Sequence, residues 1–419
     1  MSLLLHDDST THTTTQPRRA GQTPSPITGR LLVVLALLAA LAPFATDMYL
    51  PAFPAMTVDL GASATQVQLT LTAMLLGIAI GQLVFGPVSD RYGRLRPLVV
   101  GAALCVVASA VAASAPTVAV LVGARFVQGL TGAAGMVIGR AMITDLTTGK
   151  TAARAFSLMM VVSGIAPVVA PFVGSLLVGP IGWRGVLWVL FAVAATMFVS
   201  ILAFVRESLP ARRRERAEVA GASGSPVRAL TSRAYLANTV TFAFSFAVMM
   251  AYISASPFVY QVMIGMNEVQ YGIAFGVNAL GLVGSSALSA RLTYRYPVGS
   301  VLRAGLALMV VATIALLLIV VSGAPVALLP IPIFVAVASV GLVVGNATAL
   351  ALSEVPAAAA GVASALLGAL QFGLAAVISP LVSIGGENTA LPLAVCMLAA
   401  AVVALAAHLT THKPATSER

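Results

Sequence analysis

The chain has 419 residues, of which 59% are hydrophobic and 9% are charged, and its mean hydropathy is +1.00. An average soluble domain carries roughly 25% charged residues, so this composition excludes a water-soluble fold. It predicts a membrane protein whose spans are helices, because a helix satisfies its own backbone hydrogen bonds in lipid. The alternating pattern of membrane β-strands, about ten residues per strand, is absent from the sequence.

Twelve apolar segments are long enough to cross a bilayer, for which about 20 residues suffice. In chain order they cover residues 30–54, 65–88, 97–114, 117–142, 153–178, 184–205, 234–260, 269–290, 298–321, 326–351, 358–382 and 389–409. We therefore expect an all-α polytopic membrane protein with twelve transmembrane helices.

A basic stretch divides these spans into six and six. The predicted organisation is a disordered cytoplasmic N-terminus rich in Thr, Pro and Ser, a first six-helix bundle, a basic cytoplasmic linker, a second six-helix bundle and a cytoplasmic tail. The corresponding ranges are 1–29, 30–206, 207–233, 234–409 and 410–419.

The charge distribution supports this topology. If both termini are cytoplasmic, every Lys and Arg lies in a cytoplasmic segment except Arg125 and Arg184, as the positive-inside rule requires. The net charge of +10 then reflects topology and attraction to anionic lipid, and we expect no nucleic-acid partner. Cys105 and Cys396 both lie in apolar spans, so the sequence suggests no disulfide framework and no metal site.

An internal repeat relates the two halves. The segment "GQLVFGPVSDRYGRLRP" (81–97) aligns without gaps to "GLVGSSALSARLTYRYP" (281–297), with Gly, Ser, Arg and Pro at four matching positions. Each segment lies between the second and third spans of its half. Repeated bundles around a central site are typical of secondary transporters.

The segment 81–97 resembles the signature loop of the major facilitator superfamily, in which a glycine-rich helix end precedes Asp-Arg-x-Gly-Arg. The resemblance implies two six-helix bundles and a cytoplasmic latch in which Asp90 contacts the start of the eleventh span, residues 353–368. The residues assigned to the latch are Gly86, Asp90, Arg91, Gly93, Arg94, Arg140 and Asp145. The repeat has Ala290 where the first copy has Asp90, so the latch is expected to be asymmetric.

Four further strings resemble the Bcr/CflA drug:proton antiporters, which include exporters of bicyclomycin-type and chloramphenicol-type antibiotics. They are "DMYLPAFP" (47–54), "RFVQGLTGAAGMVIGRAMITD" (125–145), "SGIAPVVAPFVGS" (163–175) and "AGVASALLGALQFG" (360–373). The resemblance covers residues 30–410. It implies multidrug efflux driven by the proton gradient, with no cofactor.

The fifth-span string is the one that the resemblance associates with antiport. Its Gly164, Pro167, Pro171 and Gly174 thin the helix and interrupt its hydrogen bonds, which allows bending and close helix contact. Prolines that are merely tolerated in a kinked structural span are the alternative explanation.

Asp47 and Arg125 are the charges deepest within apolar spans. Charged residues at such depth are costly and mark functional sites. A helix rise of ~1.5 Å per residue places both at about the same depth below the outer boundary, which makes pairing feasible without showing that they meet. We expect Asp47 to carry the proton and Arg125 to tune its affinity for protons, as the resemblance implies; a static ion pair is the alternative.

Polar, methionine and aromatic residues within spans are candidates for drug contact, since flexible Met side chains suit varied apolar ligands. They are Tyr49, Gln68, Met74, Gln128, Met136, Met159, Phe246, Met249, Tyr252, Asn278, Asn346, Gln371 and Phe372.

The function predicted from these features is export of small amphiphilic antibiotics by alternating access in the cytoplasmic (inner) membrane. The expected partners are drugs, protons and the lipid bilayer, and we expect a monomer. A proton-coupled importer of a metabolite is the alternative. No nucleophile elbow or phosphate loop indicates an enzyme.

Overall fold

The computed structural model describes residues 29–147, 149–209, 230–356 and 360–410. Most of the predicted N-terminus, linker and tail lie outside these ranges. All regular elements within the described ranges are helical, as the composition predicts.

The first half contains six α-helices and a short 3₁₀ turn. The helices are α1 (Gly29–Asp47), α2 (Phe53–Leu60), α3 (Ala64–Tyr92), α4 (Leu95–Ala113), α5 (Val118–Leu146) and α6 (Gly149–Phe204), with the 3₁₀ turn at Leu50–Ala52.

The second half also contains six α-helices. They are α7 (Arg233–Pro257), α8 (Glu268–Leu292), α9 (Val298–Val321), α10 (Pro330–Ser353), α11 (Ala360–Leu381) and α12 (Leu391–Leu409). A π-helix at Phe258–Met263 extends α7, and a 3₁₀ turn at Val326–Leu328 precedes α10.

The second span of each half begins with a capping box. Ser63 Oγ accepts from the backbone N–H of Gln66, whose Oε1 accepts from the Ser63 N–H at 2.8 Å. Asn267 and Gln270 make the same reciprocal pair at the start of α8. Each box satisfies two backbone donors that a helix start leaves open.

The described residues contain eleven helices long and apolar enough to span a membrane, one fewer than the sequence predicts. The difference lies in α6, where one candidate of 51 residues, Arg154–Phe204, covers both predicted spans 153–178 and 184–205. A straight helix of that length would measure about 75 Å, far more than the ~30 Å hydrocarbon core, but α6 is not straight. It is interrupted at Gly182, whose φ of +66° departs from the helix.

The helices pack into two groups, α1–α6 and α7–α12, which meet mainly where α3 contacts α11 and α6 contacts α8. Small residues allow these contacts. A Cβ on Gly368 of α11 would meet Gln82 of α3, and a Cβ on Gly272 of α8 would meet Ser175 of α6.

The hydrogen bonds that join the two groups all lie at one end of the molecule. Within the described ranges they are Gln68 Nε2 to Ser254 O (2.8 Å), Thr65 Oγ1 to Ser383 O (3.0 Å), Ser383 Oγ to Thr65 Oγ1 (3.2 Å) and Gln261 Nε2 to Pro51 O (3.0 Å). These residues are far from the start of α1 and the end of α12, so we name this side the remote end. The structure is therefore closed at the remote end.

Candidate functional site

A cavity of about 240 Å³ lies between the two groups, below the closed remote end. Both groups contribute to it. Its lining consists of Ala42, Pro43, Thr46, Asp47, Leu71, Leu75, Ile78, Met136, Pro167, Phe246, Met249, Met250, Tyr252, Ile253, Phe275, Ala279, Leu282, Val337, Gln371 and Phe372. Only four of these side chains are polar, namely Thr46, Asp47, Tyr252 and Gln371. The cavity therefore suits a mostly apolar molecule that makes a few hydrogen bonds.

Asp47 is the last residue of α1 and the only charged residue of the lining. The helix ends here because Pro51 lacks the N–H that a continuing helix needs, and the chain turns through the 3₁₀ segment instead. The side chain of Asp47 is only 4% exposed. Holding a carboxylate in such a place is costly unless it is compensated or protonated.

Arg125 on α5 is fully buried against the same end of α1. Its Nη2 donates to Ala45 O at 2.5 Å and its Nη1 donates to Gln128 Oε1 at 2.7 Å. The guanidinium lies over the ring of Tyr49, 4.1 Å from the ring centre, a cation–π contact. A cation next to the last carbonyls of a helix is favourable, because those carbonyls carry partial negative charge.

Asp47 and Arg125 approach the same helix end without forming an ion pair. The ion pairs within 4 Å between described residues involve Arg94 and Arg184 only. Arg125 is held instead by a backbone carbonyl, an amide and an aromatic ring. The geometry therefore leaves the carboxylate of Asp47 facing the cavity and fixes the arginine behind it.

Six of the thirteen predicted drug contacts line the cavity: Met136, Phe246, Met249, Tyr252, Gln371 and Phe372. The other seven lie elsewhere. Tyr49 and Gln128 hold Arg125, and Gln68 binds Ser254 in the remote-end closure. Met74 and Met159 pack in apolar clusters, and Asn278 and Asn346 bond within the second group.

Sequence reasoning missed most of the cavity wall, because the missed residues are aliphatic or small. Ala42, Ala279 and Val337 are examples. Phe275 is another missed residue, although it is aromatic and lies within a span. It stacks on Tyr252, with ring centres 5.4 Å apart, and packs against Tyr271 at 6.0 Å. The Tyr252 hydroxyl is buried beside the cavity with no hydrogen-bond partner among the described residues.

The glycines and prolines predicted to matter in the fifth span differ in their surroundings. A Cβ on Gly174 would collide with the backbone carbonyl of Met48, the residue after Asp47. Pro167 lines the cavity, and Pro171 is buried. A Cβ on Gly164 would meet nothing within 4 Å. Gly174 is thus the member of this set that brings α6 onto the turn carrying Asp47.

The predicted latch residues form a polar network in the first group. Arg94 Nη1 donates to Asp90 Oδ1 at 2.6 Å and to Ser89 Oγ at 2.7 Å, and Arg94 Nε donates to Asp145 Oδ2 at 3.0 Å. Glu207 accepts from the backbone N–H of Arg94 at 2.9 Å, at the start of α4.

The other latch residues lie around this network. Gly93 has φ +89°, a conformation suited to glycine, and ends α3. Arg91 lies over the ring of Tyr92, whereas Arg140 is exposed and Gly86 has open space where a Cβ would stand. The contact expected between Asp90 and residues 353–368 is not among the bonds of the described residues, and 357–359 lie outside the described ranges.

Comparison with known proteins identifies the family. The family model described as Major Facilitator Superfamily matches residues 35–380. An uncharacterized MFS-type transporter from Bacillus subtilis, YdgK, is 37% identical over 89% of this chain and 93% of its own length. The bicyclomycin resistance protein homolog of Haemophilus influenzae is 28% identical over 90% of this chain and 94% of its own. The multidrug resistance protein MdtL of an Escherichia coli strain is 28% identical over 60% of this chain and 63% of its own length.

Solved structures agree on the fold. A D-xylose-proton symporter matches with a TM-score of 0.72 over 93% of this chain and 99% of its own, at 15% identity. A POT family transporter, PepTSo, also matches with a TM-score of 0.72 over 91% of this chain and 96% of its own, at 13% identity. These identities are low, so the two structures show a shared fold alone.

Proposed function

We propose that this chain, which belongs to the Major Facilitator Superfamily, exports small, mostly uncharged amphiphilic drugs across the cytoplasmic membrane in exchange for protons. The observation that carries the proposal is a single carboxylate, Asp47, in the wall of an otherwise uncharged cavity between two helical groups. The similarity to proteins named for bicyclomycin resistance and multidrug resistance supports drugs as the substrate class.

The proposed topology has twelve spans with both termini in the cytoplasm. The long helix α6 crosses the bilayer twice and reverses at Gly182, since its 51-residue apolar stretch is about twice the required length. The remote end then faces outward. With this orientation, the closure at the remote end closes the molecule on the outside.

The proposed coupling step is competition between a proton and a drug at Asp47. A drug that donates a hydrogen bond to the ionised carboxylate stabilises that form and displaces the proton, and release of the drug lets the carboxylate take up a proton again. Arg125 contributes a fixed positive field from behind the end of α1. The carboxylate therefore releases its proton when the drug binds and regains it when the drug leaves, while the arginine keeps its hydrogen bonds.

Alternating access requires the closure at the remote end to open. Its four hydrogen bonds are neutral and lie at one end of the interface between the groups. A net contribution of about 1 kcal/mol for each such bond is small enough to be broken once per transport cycle. The Arg94 network at the opposite end is proposed to act as the latch when the molecule opens outward.

Exchange of drug for protons is tested with purified protein in vesicles that carry an imposed pH gradient. Chloramphenicol and bicyclomycin are the first drugs to test, and Asp47→Asn is the decisive variant. We expect proton-driven drug movement to fall to the level of empty vesicles, because asparagine has the shape of aspartate and cannot take up a proton at neutral pH.

The matched control is Asp59→Asn, which makes the same chemical change at an exposed aspartate on α2. Drug movement by this variant should remain close to that of the unaltered protein. If Asp47→Asn still moved drug at the normal rate and with the normal pH dependence, Asp47 would not be the proton carrier.

A further inference from the structure

A chain of hydrogen bonds links the backbone of α4 to Arg125 on α5. The Ser109 hydroxyl donates to Cys105 O at 2.7 Å. Gln128 Nε2 donates to Ser109 Oγ at 2.7 Å, and Arg125 Nη1 donates to Gln128 Oε1 at 2.7 Å. The side chains of Ser109, Gln128 and Arg125 are all buried, so water does not compete for these bonds.

The carbonyl at the start of this chain sets the direction of every bond in it. Because the hydroxyl hydrogen of Ser109 is committed to Cys105 O, its oxygen is left to accept. The NH₂ of the Gln128 amide is the group that donates to this oxygen, so the amide oxygen is the end that meets Arg125. A guanidinium has donors only and needs an acceptor there. A serine on α4 thereby fixes which end of the amide faces the arginine.

The interior beside Gln128 is not completely filled. A void of about 10 Å³ is lined by Gln128 together with Ala45, Cys105 and their neighbours. It has room for about one water molecule. A side chain beside such a void can adopt another rotamer once its hydrogen bond is lost. The bond to Ser109 is therefore what keeps the Gln128 amide on Arg125.

The position of Arg125 matters because Asp47 lies at the same helix end. Arg125 Nη2 donates to Ala45 O at 2.5 Å, and the ion pairs between described residues do not include Asp47. For a guanidinium released from Gln128, a nearby carboxylate is a stronger acceptor than a neutral amide, because ionised partners make the stronger hydrogen bonds. An ion pair formed there would favour ionised Asp47 and oppose uptake of a proton.

The other ionisable groups around Asp47 and Arg125 in the described ranges are tyrosine hydroxyls and one thiol, which carry no charge at neutral pH. They are Tyr49 after α1, Cys105 on α4, Tyr252 on α7 and Tyr271 on α8. The residues of α3, α6, α10 and α11 that line the cavity with Asp47 have no ionisable group. Arg125 is thus the neighbouring charge whose position controls proton binding.

We propose that Ser109 is a positioning residue for proton exchange. By orienting Gln128, it keeps Arg125 out of an ion pair with Asp47 and so leaves Asp47 free to take up a proton. Ser109 does not line the cavity and acts through Gln128. The inference rests on the proposed role of Asp47 as the proton carrier.

The test measures proton binding directly, on the full chain in lipid nanodiscs. Infrared difference spectroscopy reports the C=O band of protonated carboxyl groups, and the part of this band that is absent from Asp47→Asn belongs to Asp47. Ser109→Ala removes the acceptor for Gln128 Nε2. We expect the pH at which half of the Asp47 band is lost to shift towards acid by about one unit. That shift is about tenfold weaker proton binding, as the loss of one hydrogen bond to a charged group allows.

Further variants separate the orientation of Gln128 from a general loss of packing. Ser109→Thr keeps the hydroxyl and should keep the normal midpoint. Ser245→Ala is the matched control, since its hydroxyl is equally buried and donates to Thr241 O, also four residues earlier; it should shift nothing. Gln128→Met keeps the length of the side chain and removes the amide. It should shift the midpoint towards acid, and it provides the test if Ser109→Ala does not fold.

An unchanged midpoint in folded Ser109→Ala, or a shift towards base, would overturn the inference, as would an equal shift in Ser245→Ala or Ser109→Thr. Drug–proton exchange is measured on the same preparations. If the unaltered chain exchanged no drug while Ser109→Ala still shifted the Asp47 band, the proposed function would fail and the positioning role would stand. Normal exchange without that shift would have the opposite meaning.

Discussion

The two groups of helices are related by a sequence repeat, but they differ in what they bury. The first group buries Asp47, Arg94 and Arg125, whereas no Asp, Glu, Lys or Arg is buried among the described residues of the second. The second group contributes rings instead, including Phe246, Tyr252 and Phe275 of the cavity wall. The difference is a division in which one group holds the buried charges and the other supplies the aromatic rings of the cavity wall.

The repeated loops show the same division at a single pair of positions. Ser89 accepts from Arg94, which also binds two carboxylates, whereas Ser289 accepts from the neutral Asn346 at 2.8 Å. Ala290 stands where the first copy has Asp90. Both copies therefore keep a serine that accepts a hydrogen bond, but only the first copy surrounds it with charged residues.

The largest effect is expected from a change in the contact between α6 and the turn that follows Asp47. Gly174→Ala pushes a Cβ into the Met48 carbonyl, and overpacking of this kind costs about 1–3 kcal/mol. We expect a lower melting temperature and loss of proton-driven drug movement. Gly164→Ala, on the same helix with open space around it, should be as stable as the unaltered chain and as active. If the two variants behaved alike, the contact between α6 and the turn that carries Asp47 would not be needed for activity.

Substitutions in the second group should change which drugs the cavity binds. Phe246→Ala removes a ring that packs against Phe372 with centres 5.8 Å apart, a contact whose loss weakens binding of aromatic drugs by about tenfold. The pH dependence of exchange should stay the same, since Asp47, the proposed proton site, lies in the first group. Phe244→Ala, two residues earlier on α7 and outside the cavity lining, is the control. A changed pH profile in Phe246→Ala would contradict the division.

The smallest expected effect concerns the contact between the groups. Thr65→Val removes the hydrogen bonds to Ser383 and should shift the population towards opening at the remote end by roughly threefold to tenfold. Spin labels at Val58 and Val326, with Cys105 and Cys396 replaced, report the separation at the remote end. Thr196→Val, whose hydroxyl bonds only Ala192 of its own helix, should leave the distance distribution unchanged. An identical distribution in Thr65→Val would mean that these bonds do not hold the closure.

The positions of the spans could be predicted from hydropathy because lipid tolerates only long apolar helices. The ninth span, 298–321, coincides with α9, and the others agree within a few residues, apart from the first, which α2 extends to Leu60. The break within α6 also falls where the sequence places it. Gly182, at which the backbone leaves the helical conformation, lies in the gap between the predicted spans 153–178 and 184–205.

The cavity itself could be predicted only in part. Selecting polar and aromatic residues within spans identified Tyr252 and Gln371 of the cavity wall. The same criterion also selected Tyr49, whose ring instead packs against the guanidinium of Arg125. Alanines and valines face lipid, helix neighbours and cavity alike, so nothing in their chemistry distinguishes Val337 in the wall from the exposed Val311. That distinction depends on helix rotation and tilt, which are set by contacts between distant parts of the chain.

The bonds at the remote end have one further consequence. Amides, hydroxyls and backbone carbonyls make up the polar contacts of this seal, as in Gln68 with Ser254 and Gln261 with Pro51, and none of these groups ionises in the physiological range. In the proposed orientation the remote end faces outward, so external acid and external salt leave the strength of the seal unaltered. Asp47, the proposed proton site, then becomes accessible to external acid only after the gate has opened for another reason, which protects an empty carrier from a sudden drop in external pH.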